Sequence, residues 1–173
     1  MKWFGISGSW RYEFPQLETD VAETVLNLVS EDGGIITGGA LGVDSMATQS
    51  AMTFLDPKKF SERLRVYLPV SLDNYLAYLR KRAHEGATDI SRVDRLEDQL
   101  RTIENISPRC IMDDWGFTKV DKESYYFRIA MITRDIDELY VFHVNGSEGV
   151  QHSMDVARNL GKPIHLRNYV YDL

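Results

Sequence analysis

The chain has 173 residues, of which 43% are hydrophobic and 27% charged, ordinary globular values that exclude a disordered or collagen-like polymer and predict one domain, with or without an insertion. Twenty basic against 26 acidic side chains leave a net charge of −6, which argues against a dominant role in non-specific DNA binding but not against a small anion held at a local basic site. The single cysteine, Cys110, excludes an internal disulfide framework and an all-cysteine zinc site.

In chain order, Lys2–Ser7 reads as a short strand stopped by Gly8 and Ser9. Val21, Val25, Leu28 and Val29 recur at helical spacing, with Gly33-Gly34 as the stop. Ile35–Thr37, between glycine pairs, reads as a buried central strand, and Met46, Ala47, Ser50, Ala51 and Phe54 mark the helix after it. Arg63–Leu68 is a third strand. Leu72, Tyr75, Leu76, Leu79 and Ala83 mark a helix closing near Gly86.

Ser91-x-x-Asp94 then reads as a helix cap, followed by the narrow stripe Val93, Leu96, Leu100 and Ile103. Such a stripe suits a helix crossing a surface or pairing with another subunit, so a homo-oligomer is expected. Residues 105–123 have no clear period and read as part of a helical and loop insertion over about 84–123. A helix over 124–134, a strand over 139–142, a helix over 150–160 and a strand over 163–166 complete the chain.

Strands alternating with helices predict an α/β fold, a three-layer Rossmann-like sandwich built on a mainly parallel sheet. Such sheets bind ligands beyond the carboxyl ends of their strands, at the switch point of the strand order. There is no basic leader with an apolar core and no run of apolar residues long enough for a membrane span. A cytoplasmic protein without membrane contact is expected.

Three strand-end loops carry unusual sequence. In Ser7–Arg11, Gly8 permits close backbone approach, Ser9 offers a hydroxyl and Arg11 a forked cation; the plainer reading is a turn with a solvated arginine. In Gly38–Asp44, the glycines Gly38, Gly39 and Gly42 bare backbone N–H groups before a helix N-terminus, an arrangement suited to anions. It is neither a Walker A loop nor G-x-G-x-x-G, and Asp44 reads as the helix N-cap ahead of a catalytic acid. In His143–Val150, Gly146, Ser147 and Gly149 offer a second anion or sugar contact and Glu148 an acceptor for ribose hydroxyls; the alternative is a flexible turn with a solvent-facing glutamate.

Arg128 falls between Met131 and Ile132 on a largely apolar helix, so it requires an anionic partner: Asp113, Asp114 or Asp137 within the chain, or a ligand phosphate. His143 and His152 lack a third ligand at familiar spacing, so no metal or other cofactor is expected. Arg80-Lys81-Arg82 reads as a helix-end basic run, and Tyr125-Tyr126-Phe127 as core packing, with one tyrosine available to face a base.

Gly5–Ser9, Gly38–Ala47, Tyr126–Met131 with Asp137 and Leu139–Phe142, and Gly146–Gly149 with Gly161–Ile164 together resemble the SLOG superfamily, which groups DprA proteins, Lonely Guy (LOG) phosphoribohydrolases and YspA- and YpsA-like proteins. The resemblance covers roughly 1–70 and 124–167 and implies a Rossmann-like domain that binds nucleotides at its strand ends. LOG enzymes carry Pro-Gly-Gly-x-Gly-Thr-x-x-Glu. Aligned on Gly149, this chain has Val150 for the threonine and Ser153 for the glutamate, and it lacks the proline.

Three functions follow as expectations. The first is a nucleotide-binding sensor or carrier that holds phosphate with Gly8, Ser9, Arg11, Gly38, Gly39, Gly42 and Arg128, and ribose with Gly146–Gly149. The second is an enzyme cleaving an N-glycosidic bond of a nucleoside monophosphate, with Asp44 and Glu148 as the available carboxylates. The third is DprA-like single-stranded DNA binding, which the acidic balance disfavours.

Overall fold

A computed structural model describes residues 1–172. Six strands form one parallel sheet: β1 (Trp3–Gly8), β2 (Gly34–Thr37), β3 (Leu64–Tyr67), β4 (Ile111–Met112), β5 (Glu138–Val144) and β6 (Ile164–Tyr169). Their spatial order is β4-β3-β2-β1-β5-β6. The chain winds outward from β1 to β4 and then returns to lay β5 on the other side of β1, so the order reverses between β1 and β5. A crevice for a ligand opens at such a reversal.

The helices are α1 (Pro15–Ser30), α2 (Val43–Phe54), the single turn α3 (Phe60–Arg63), α4 (Leu72–His84), α5 (Ile90–Ile106), α6 (Lys122–Asp135) and α7 (Glu148–Asn159). Two apolar clusters show the three layers. One joins the sheet to α1, α2, α4 and α5 through residues such as Val21, Ile35, Ala47, Tyr75 and Leu96. The other joins the opposite face to α6 and α7 through Ile36, Tyr67, Leu139, Met154 and Ala157. Ile35 and Ile36, adjacent in β2, point to opposite clusters, as the two-residue period of a strand requires.

The expected elements are all present; the single turn α3 is additional to them, and the other differences in elements lie in the segment 84–123. Asp89, not Ser91, caps α5: its carboxylate accepts from the Ser91 N–H at 2.8 Å, which moves the helix start forward. The stripe Val93, Leu96, Leu100 and Ile103 is fully buried inside the chain, each side chain contributing about 2 kcal/mol of burial. The stripe packs toward α4 and β4, and Gln99 beside it donates to the Ser45 carbonyl of α2 at 3.0 Å. That stripe therefore supplies no surface for self-association. The aperiodic 105–123 stretch contributes the edge strand β4, whose two residues are too few to show a sequence period.

Helix α4 does not run back along the sheet. Its first N–H, at Leu72, is held by Asp113 just past β4 at 2.8 Å, and Tyr75 donates to the Gly39 carbonyl at 3.1 Å. Past its far end, Arg92 donates to the Trp10 carbonyl at 2.6 Å. It thus crosses the carboxyl edge of the sheet from the β4 side to the β1 side, forming a roof over the strand-end loops.

No helix among the described residues is long and apolar enough to cross a membrane.

Candidate functional site

The loop after β1 is fastened to its neighbours by its own backbone and by one serine. The Ser9 hydroxyl accepts from the Val144 N–H at 2.9 Å and donates to the Val144 carbonyl at 3.2 Å, joining the β1 and β5 ends across the strand-order reversal. The Val43 N–H donates to the Ser9 carbonyl at 3.3 Å, joining the same loop to the start of α2. Gly42, at φ +74°, sits in this seam, and a Cβ there would lie 2.4 Å from the Ser9 oxygen. A Cβ on Gly8 would lie 2.5 Å from the Phe142 oxygen. These glycines let three loops approach one another.

Asp44 is not the helix cap. Gly42 occupies that position, and no side chain caps the end. Asp44 turns back instead, accepting from the N–H groups of Gly38 at 3.0 Å and Ala40 at 3.4 Å. The tight turn through Gly39, at φ +64°, brings those amides within its reach. It is 6% exposed. Burial pushes its carboxyl upward, while the nearby Arg128 guanidinium and the two amides pull it back down.

Arg128 crosses from α6 to this turn, donating from Nη1 to the Gly38 carbonyl at 2.7 Å. Its Cζ lies 4.9 Å from the centre of the Tyr125 ring, and its Nε is buried with no partner among the described residues. Of the acids nominated for it, Asp113 is taken up by the Leu72 amide and Asp137 by the Trp3 amide at 2.7 Å. The carboxylate that answers Arg128 electrostatically is Asp44, which faces the same glycine turn. Sequence reading missed it because the cap assignment had already accounted for it.

The three loops, the roof and the near half of α6 enclose one cavity of about 430 Å³. The β1 loop contributes Ser7, Gly8 and Trp10; the β2 loop Ala40, Leu41 and Asp44; the β5 loop and first turns of α7 Ser147–Val150 and Ser153. From α4 come Tyr75, Tyr78, Leu79 and Arg82, and from α6 Lys122, Tyr125, Tyr126, Arg128 and Ile129. Burial raises the phenol of Tyr125 to about 12 and pushes that of Tyr75 up as well, so both present neutral hydroxyls at physiological pH.

No family profile and no curated protein matches the chain. Solved structures do. DNA processing protein A from Helicobacter pylori, whose single-stranded DNA binding mode has been described, is similar at 18% identity and a TM-score of 0.66, over 99% of this chain and 66% of that one. The molybdenum cofactor binding protein from the phototrophic bacterium Rippkaea orientalis is similar at 15% identity and a TM-score of 0.59, over 99% and 77%. DprA from Streptococcus pneumoniae follows at 14% and 0.50, over 94% and 58%. The fold shared with these proteins is a Rossmann-like α/β sandwich. At these identities the likeness is one of fold, and the chain spans about two-thirds of the first of these proteins.

Within this Rossmann-like frame, Gly8, Asp44, Arg128, Ser147, Glu148 and Gly149 line the cavity together. Ser9, Gly38, Gly39 and Gly42 lie one layer behind, holding the loops in place. Arg11 is exposed, with its guanidinium 5.1 Å from the centre of the Trp10 ring, and Gly146, at φ +69°, shapes the turn before Ser147. His143 accepts from the Ser147 N–H at 2.7 Å, and His152 stacks on Tyr126 at 3.8 Å. Among the described residues no group of three metal-ligating side chains occurs.

Sequence reading missed the roof and most of the α6 wall. Tyr125 and Tyr126 line the cavity and do not fill the core, and Arg82, in the run read as a helix-end feature, lines it too. The signal was present in the spacing. Tyr75, Tyr78, Leu79 and Arg82, and equally Lys122, Tyr125, Tyr126 and Ile129, sit at i, i+3, i+4 and i+7, which places each set on one helix face.

Proposed function

We propose that the chain binds a nucleotide or a nucleotide-derived phosphorylated ligand in the cavity at the β1/β5 reversal. The observation that carries this reading is the convergence of three strand-end loops and a half-buried arginine on one cavity walled by aromatic rings. Backbone amides at Gly8 and at the first turn of α7 offer donors to a phosphate, with the positive ends of α2 and α7 behind them. Arg128, which lines the cavity, adds a charged donor whose partial burial strengthens its pull on an anion. Tyr78, Tyr125, Tyr126 and Trp10 supply flat apolar faces for a base. Such a site can work as a sensor or carrier, since none of these contacts requires a reacting group.

Titration calorimetry of the whole chain against nucleoside mono-, di- and cyclic phosphates tests it. Saturable one-to-one binding of at least one of them is expected, weakened at least tenfold by Arg128→Gln. Absence of binding across the panel contradicts the reading.

A second reading is N-glycosidic hydrolysis, favoured by one observation: Asp44 and Glu148, from different loops, line the same cavity. A carboxylate beside the anomeric carbon stabilises oxocarbenium-like charge. Release of free base from a bound nucleoside monophosphate, lost in Glu148→Gln, is its signature; a bound monophosphate that stays intact removes it.

A further inference from the structure

The charged side chains of the cavity are segregated by element. Both acids, Asp44 and Glu148, come from the strand-end side, where Arg128 reaches the Gly38 carbonyl. The roof and the first turn of α6 contribute only cations, Arg82 and Lys122. Lys122 makes no ion pair among the described residues, and its Nζ lies 5.2 Å from the centre of the Tyr126 ring. Among the described residues Arg82 pairs only with Glu85, three positions on, at the cap of its own helix and outside the cavity lining. In an exposed pair of this kind the attraction is small and leaves the cation available.

Arg82 and Arg128 both act electrostatically on the Tyr125 hydroxyl, so that ring lies near both sets of charge. Along α6, Lys122 and Arg128 are anchored about 9 Å apart at 1.5 Å of rise per residue. One cation set stands beside the loop amides and the other on the roof side, an arrangement that suits two separate phosphate groups better than a single phosphate or a pyrophosphate, whose two phosphorus atoms share a bridging oxygen.

We infer that the cavity is built for a ligand carrying two phosphate groups on different positions of its sugar. One group sits at Arg128 and the strand-end amides, the other between Arg82 and Lys122, and the nucleoside spans the tyrosine wall. The inference rests on the nucleotide-binding reading and adds the number and spacing of the anions. A nucleoside 3′,5′-bisphosphate has the required chemistry.

The test is calorimetry of the full chain with adenosine 5′-monophosphate, adenosine 3′,5′-bisphosphate and adenosine diphosphate, in buffers of matched ionic strength. The bisphosphate is expected to bind at least tenfold more tightly than the monophosphate and more tightly than the diphosphate. In the Arg82→Gln/Lys122→Gln double variant, the ratio of bisphosphate to monophosphate affinity falls to about one. Thermal unfolding confirms that this variant is folded. Equal affinities for monophosphate and bisphosphate, a preference for the diphosphate, or a ratio unchanged in the variant would each overturn the inference while leaving the nucleotide-binding reading intact. Failure of all three ligands to bind overturns both.

Discussion

The guanidinium of Arg128 donates to the carbonyl of Gly38 at 2.7 Å across 90 positions of sequence. That bond ties α6, on one side of the sheet, to the glycine turn after β2. On the other side of the same turn lies Asp44, whose Oδ2 would sit only 2.7 Å from a Cβ at Gly38. Gly38 is therefore the point about which the acid and the arginine are arranged.

Gly38→Ala is expected to separate them. The added methyl also meets Arg128 Cζ at 3.2 Å, and overpacking of this kind costs about 1–3 kcal/mol. Urea unfolding measures the loss, and nucleotide affinity falls with it.

The two arginines nominated from sequence are expected to differ in weight. Arg128 is held inside the cavity, whereas Arg11 is exposed beside Trp10. Arg128→Gln lowers affinity for a nucleoside monophosphate at least tenfold, and Arg11→Gln lowers it several-fold less, with steeper salt dependence for the Arg11 contribution. Calorimetry at two ionic strengths separates the two.

Asp44 gives a pH signature. Burial holds its carboxyl above the usual aspartate range, so the folded chain keeps the proton more tightly than the unfolded chain. The stability that this contributes is fully present below the unfolded value of 3.8 and is lost as pH rises through the raised folded value. Asp44→Asn removes the titration. Its melting temperature relative to wild type should therefore climb between pH 3.5 and neutrality, and a flat difference across that range would contradict the assignment.

Ser9 tests how the loops are held. Its buried hydroxyl makes both bonds to Val144, so Ser9→Ala leaves two backbone groups unsatisfied at a cost of about 1–3 kcal/mol. A parallel clamp acts on the β5 loop: Asn145 donates to the Tyr171 carbonyl at 2.7 Å and accepts the Tyr171 N–H at 2.9 Å, while the Tyr171 ring stacks on Phe14 at 4.6 Å. Tyr171→Ala is expected to raise hydrogen exchange of Asn145–Gly149 with little change elsewhere. Uniform protection across that loop would show that the clamp does not hold it.

The layered α/β fold was legible in the sequence because its strands and helices are separated by strong stops, such as Gly33-Gly34 and Pro69, and because Ile35-Ile36 has the apolar continuity of a strand covered on both faces. The loops that line the cavity were legible for a related reason: in a parallel sheet every strand-to-helix loop lies on one edge. The helix α4 was legible as a helix but not as a roof, since its direction is set by contacts at Asp113, Gly39 and Trp10 that local periodicity does not encode. Ser9 and Gly42 looked like ligand contacts because small residues serve loop packing and ligand approach equally well. The Asp44–Arg128 relationship joins positions far apart in the chain, and sequence spacing alone could not pair them.

The most direct test of the central claim is a nuclear magnetic resonance titration of the isotopically labelled chain with a nucleotide. The claim predicts concerted, saturable shifts of the amides of Gly8, Leu41 and Gly149, one from each loop, with a single dissociation constant. Shifts confined to one loop, scattered over unrelated surface, or absent at millimolar nucleotide would contradict it.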